Sequence, residues 1–96
     1  GSLAGHGQAV VYYVADAMVQ WGVLEGFSRA QARTIVAGAI AGASKVLNET
    51  TASPNALQNR VTTPGGSTVK AMTELDAQGV RAAVIECMDG GRYARR

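Results

Sequence analysis

Ninety-six residues make one small domain. Hydrophobic residues are 47% of the chain, which excludes a disordered segment, but 17 of them are alanine, 12 glycines stand beside them, and only 28 larger apolar side chains remain. The formal charge of +2 falls to −1 once Arg92, Arg95 and Arg96 are set aside, so the body offers no basic face to nucleic acid.

A chain so short of large side chains cannot build a generous core alone, and an obligate oligomer is the first expectation. The pattern is helical throughout. From Gln8 to Leu24, Val10, Tyr13, Val14, Ala17, Met18 and Trp21 follow the i, i+3, i+4, i+7 rule. The first half of this helix is apolar nearly all round, which predicts burial on more than one side. Gly22 and Gly26 bracket its end. Ser28-Arg29-Ala30-Gln31 has the spacing of a capping box and opens a second helix that runs to Asn48 or Glu49. Gly38 and Gly42 lie four apart in its middle, among alanines. Glycine there weakens a helix, so the pair predicts a helix-to-helix contact too close for a Cβ.

Ser53-Pro54 is a serine cap with proline at the first helical position, and predicts a short helix over Asn55 to Arg60. A fourth helix is predicted from Ser67 to Ala77, with Val69, Met72 and Leu75 on one face and Gly79 as its stop. A fifth runs from Val80, with Val84, Cys87 and Met88 apolar, and Gly90-Gly91 weakens its last turns. No strand alternation appears, so the class is all-α with four or five helices. The charge-free runs Gly1–Ala15 and Thr34–Ser44 are both too short to span a membrane. The single cysteine, Cys87, cannot form an internal disulfide and is expected to be a buried, inert thiol in a cytoplasmic protein. One histidine and one cysteine make no metal set. His6 is expected before the first helix in a structural or solvent-exposed role, and the arginine tail reads as a solvated end.

One constellation carries chemistry: Thr63-Pro64-Gly65-Gly66-Ser67-Thr68. Two glycines let the backbone turn and approach a ligand. The helix that follows presents unsatisfied amides and the positive end of its dipole, which together attract an anion. Three hydroxyls surround it. Such a site suits a small carboxylate or a phosphate, although the same residues also make an ordinary turn with a cap. No lysine and no preceding strand support a nucleotide P-loop.

These residues are familiar as a set. Val61 to Val69, followed by Glu74-Leu75-Asp76-Ala77-Gln78-Gly79-Val80-Arg81 and the apolar Ala82–Met88 stretch, resembles the C-terminal dimerisation domain of pyrroline-5-carboxylate reductases. Leu3-Ala4-Gly5-His6-Gly7-Gln8-Ala9 looks like a variant of that family's small-residue Gly-x-Gly-Pro-Ala start. The segment from Gly38 to Lys45 is similar too, and the resemblance spans nearly all of residues 1–96.

The resemblance implies an interlocked bundle like the C-terminal domain of 6-phosphogluconate dehydrogenases, assembled as a homodimer or larger ring. It implies an enzyme that reduces 1-pyrroline-5-carboxylate to L-proline with NADPH or NADH. The cofactor would sit on a Rossmann domain that this sequence lacks, so no cofactor is expected on the chain alone, which would then be inactive. By the resemblance, Thr63, Gly65, Gly66, Ser67 and Thr68 hold the substrate carboxylate. The Thr68 hydroxyl orients or helps protonate the ring nitrogen, which makes it the catalytic candidate. His6 and Gln8, Thr51, Arg60 and Gly90-Gly91 depart from the family pattern. They leave open a reductase for a related cyclic imine, or a non-catalytic dimerisation module. No nucleic-acid or membrane partner is expected.

Overall fold

The computed structural model describes residues 2–62 and 66–90. They form five α-helices: α1 (Ser2–Leu24), α2 (Arg29–Glu49), α3 (Pro54–Thr62), α4 (Gly66–Ala77) and α5 (Val80–Met88). Among the described residues there is no strand, and the expected all-α class holds. None of these helices is long and apolar enough to cross a membrane. The chain divides into two compact units. Residues 7–51 form one, and the first turn of α1, up to His6, groups with α3, α4 and α5 in the other.

Local chemistry places the turn between α1 and α2. Gly26 takes a φ of 105°, a left-handed conformation that glycine adopts without a Cβ penalty. Around it the Phe27 N–H donates to the Gly22 carbonyl at 3.1 Å and the Gly26 N–H to the Val23 carbonyl at 3.1 Å. This pair of bonds is the Schellman closure of a helix. Ser28 then caps α2 as expected. Its Oγ accepts from the Gln31 N–H at 3.1 Å, and the Gln31 side chain accepts from the Ser28 N–H at 2.9 Å.

The core of this unit is small: Val19, Ala32 and Val36, with Ala15 and Ile40 packed beside them. Ala15, Val19 and Gly22 are the stripe of α1 that faces α2. The sequence pattern pointed to a different face. Tyr13 is 80% exposed and Trp21 62% exposed, so α2 does not cover that apolar face. Gly22 also has a different role from the one expected. It lies inside α1, where a Cβ would stand 2.9 Å from the Ala32 Cβ. At Gly38 and Gly42 a Cβ would meet nothing within 4 Å, so the close contact expected there is not made among the described residues.

In the second unit α3 packs on α4 and α4 on α5. Ser53 caps α3, its Oγ accepting from the Ala56 N–H at 3.1 Å. Gly79, at φ 72°, ends α4 and leads into α5. Val84 and Met88 are half-buried, but Cys87 is exposed, contrary to the buried thiol expected. An apolar stretch flanks it, yet its own side chain is open to solvent.

Gly22→Ala sets a steric clash against a modest gain in helix propensity. It is expected to lower stability by about 1–2 kcal/mol, because overpacking outweighs the propensity gain. Denaturant unfolding should show a lower midpoint with an unchanged slope. An unchanged midpoint would mean that Ala32 gives way freely.

Candidate functional site

The second unit is built to present the start of one helix. α3 ends at Thr62 and α4 begins at Gly66. Thr62 is buried, at 7% exposure, and its hydroxyl donates to the Asn59 carbonyl at 3.1 Å, which ties down the last turn of α3. Arg60 sits in that last turn, where a cation is favoured by the helix dipole.

Thr63 and Gly65, with Pro64, lie outside the described residues. The other three candidates open α4 in consecutive positions. Gly66 is its first residue, Ser67 its second and Thr68 its third. Gly66 and Ser67 are exposed and Thr68 is half-buried. A helix leaves its first four amides without an intrahelical acceptor, so those of Gly66 to Val69 form a cluster of donors at the positive end of the dipole. No acidic side chain in the first turn of α4 neutralises it. A Cβ on Gly66 would meet nothing within 4 Å, so its backbone faces open space. Donors, dipole and room together suit a small carboxylate or a phosphate.

Two concavities are described beside this arrangement, and neither takes it in. A groove of about 400 Å³ runs between the helices of this unit, lined by Met72, Leu75, Val80, Val84 and Ile85, with Gln58 at its edge. Asp76 and Arg81 close its rim at 3.8 Å, both largely exposed. Such an exposed pair contributes little to stability. A shallower concavity on the first unit is lined by Phe27, Ala30, Gln31, Thr34 and Ile35. Neither includes Gly66, Ser67 or Thr68. Among the described residues no group of three or more His, Cys, Asp or Glu gathers to hold a metal.

His6 is not ahead of the first helix as expected. α1 begins at Ser2, and His6 Nδ1 lies 3.2 Å from the Met88 carbonyl at the end of α5. Local sequence gave no sign of this contact, since its partners are 82 residues apart.

A small helical module with much of its apolar surface uncovered fits a class: an assembly module. Comparison with known proteins makes the class specific. Residues 1–94 match the family described as pyrroline-5-carboxylate reductase dimerisation, and the chain belongs to that family. It is 42% identical over 86 residues to a pyrroline-5-carboxylate reductase of Escherichia coli, which covers 90% of this chain and 32% of that protein. It is 39% identical over 88 residues to one of Aquifex aeolicus, covering 92% of this chain and 33% of that protein. A third, from Methanosarcina acetivorans, is 37% identical over 86 residues, with shares of 90% and 32%. The chain thus spans about a third of the length of these relatives.

If the start of α4 takes a small carboxylate, titration with L-proline will shift the NMR signals of the Gly66, Ser67 and Thr68 amides. Those of Val19 and Ala32, in the other unit, will stay in place. Equal shifts in both groups, or none at Gly66–Thr68, would remove the site.

Proposed function

We propose that this chain is the oligomerisation and substrate-carboxylate-binding part of a reductase that converts 1-pyrroline-5-carboxylate to L-proline with NADPH or NADH. Family membership and the reductase names of relatives 37–42% identical support this reading. They do not favour a non-catalytic module. The cofactor domain belongs to the part of the relatives that this chain does not span. Hydride transfer is assigned to that part, and the described residues contribute binding, orientation and assembly. The lone, unpaired cysteine suits a cytoplasmic protein.

The observation that carries the assembly claim is the exposed apolar face of α1 and α2. Tyr12 is 70% exposed, Leu24 82%, and Ile35 56%, while Gly38 and Gly42 stand in open space on α2. So many large apolar side chains exposed on two helices mark an interaction surface. A second copy of the chain covers it, with Gly38 and Gly42 at the helix crossing, and the result is a homodimer or a larger ring of dimers.

At the substrate site, the amides of Gly66, Ser67 and Thr68, together with Gly65 and the Thr63 hydroxyl, hold the carboxylate. Donors fixed on a helix start need no reorganisation as the substrate arrives. Thr68 is the third residue of α4, and on this reading its hydroxyl meets the ring whose carboxylate sits on these amides. It donates to or accepts from the ring nitrogen and orients the imine for hydride attack at its carbon. The proton that the nitrogen gains comes through this hydroxyl from solvent.

Two experiments test the two halves of the proposal. In the full-length reductase, Thr68→Ala should lower kcat by about 100-fold, the usual scale for a positioned proton-transfer group. Unchanged kinetics would remove Thr68 from the chemistry. For assembly, Trp21 reports the covered face. In the 96-residue chain its fluorescence should be blue-shifted and protected from acrylamide at high concentration. Replacing Gly38 and Gly42 together by leucine should make it fully quenchable. Full quenching in the unmodified chain would show that nothing covers α1.

A further inference from the structure

We infer that His6 is a latch that holds the first turn of α1 against the end of α5, and that Gly5 and Gly7 make that turn depend on the latch. His6 Nδ1 stands 3.2 Å from the Met88 carbonyl oxygen. A carbonyl only accepts, so Nδ1 carries the proton and Nε2 is left with its lone pair when the ring is neutral. Met88 is the last residue of α5, where helix carbonyls run out of intrahelical donors. The two amides that follow are engaged elsewhere. The Asp89 N–H donates to the Ile85 carbonyl at 3.2 Å and the Gly90 N–H to the Cys87 carbonyl at 2.9 Å. The Met88 carbonyl is met by His6 instead.

The other side of the latch has little intrinsic reason to be helical. The first turn of α1 contains no acidic residue to complement the dipole. Gly5 and Gly7 flank His6, and glycine is the poorest helix former after proline. Neither glycine is demanded by the geometry around it. A Cβ at either position would meet nothing within 4 Å, and neither has a positive φ. The apolar helical pattern begins only at Gln8, yet the helix begins at Ser2. The boundary between the compact units falls between His6 and Gly7, inside a continuous helix. A turn that groups with α5, flanked by residues that favour coil and joined to α5 by the His6–Met88 bond, is an order–disorder element. Closed, it rides with the unit that carries Gly66 to Thr68. Open, residues 2–6 leave the helix. The inference is independent of the oligomer and of the substrate.

The test uses the 96-residue chain. Amides of residues 7–10 bond to carbonyls of the first turn, so their hydrogen exchange reads the latch. In His6→Ala they should exchange about three- to tenfold faster, the scale of one lost hydrogen bond, while the amides of Val19 to Gly22 hold their rates. Adding Gly5→Ala and Gly7→Ala to His6→Ala should restore slow exchange, because the turn then stands without the latch. A second readout needs no variant. In mildly alkaline buffer, the ¹⁵N spectrum of the His6 ring should show the Nδ1–H tautomer, which free imidazole side chains disfavour. Exchange unchanged in His6→Ala, or a dominant Nε2–H tautomer in the unmodified chain, would overturn the latch.

Discussion

The structure depends on where the chain spends its few large side chains. Where α1 and α2 meet within one copy, the contact is made by Ala15, Val19 and Gly22 against Ala32, Val36 and Ile40. The large residues of α1, Tyr12, Tyr13, Trp21 and Leu24, point elsewhere and are exposed. Burying one such side chain stabilises a fold by about 1.5–3 kcal/mol. Leaving several uncovered forgoes much of what a chain this short can gain. Small residues let two helices of one copy approach closely, and the large ones are kept for a surface that the copy does not fill. On the proposed reading a second copy fills it, and folding and assembly become one process.

The same economy shapes the unit that carries the candidate site. α3, α4 and α5 form a modest packing of half-buried residues such as Leu57, Met72 and Val84. Their arrangement fixes the direction of α4, whose first residues are Gly66, Ser67 and Thr68. A helix start is a rigid set of donors, and an open glycine at its head leaves room for a ligand. The concavities described in each unit lie apart from Gly66 to Thr68. On the proposed reading the remainder of the site comes from outside this chain, and the chain contributes one face of it.

Features set by neighbouring residues were legible in the sequence. Ser28 with Gln31, Ser53 with Pro54, Gly26 and Gly79 each act through bonds or backbone angles within a few residues, and each does what its spacing implies. The end of α2 and the start of α4 follow for the same reason. Features set by distant partners were not legible. The inward face of α1 is not legible because its apolar residues nearly encircle the first half of the helix, and periodicity cannot say which side meets α2. Gly22 looked like a helix stop, but Ala32 across the crossing decides its role. Cys87 lies in an apolar stretch yet faces outward. His6 finds its acceptor at the far end of the sequence. For the candidate site, Gly66, Ser67 and Thr68 are the first three residues of α4, while Thr63 and Gly65 fall outside the described residues.

The central claim is that one copy of this chain is half of a packing unit, and its mass in solution tests that directly. Static light scattering of the 96-residue chain should give at least twice the 9.9 kDa of a single copy, and the value should persist on dilution until secondary structure is lost with it. A monodisperse species of 9.9 kDa that keeps its helical circular dichroism would contradict the account, because the exposed face of α1 would then be stable without a partner.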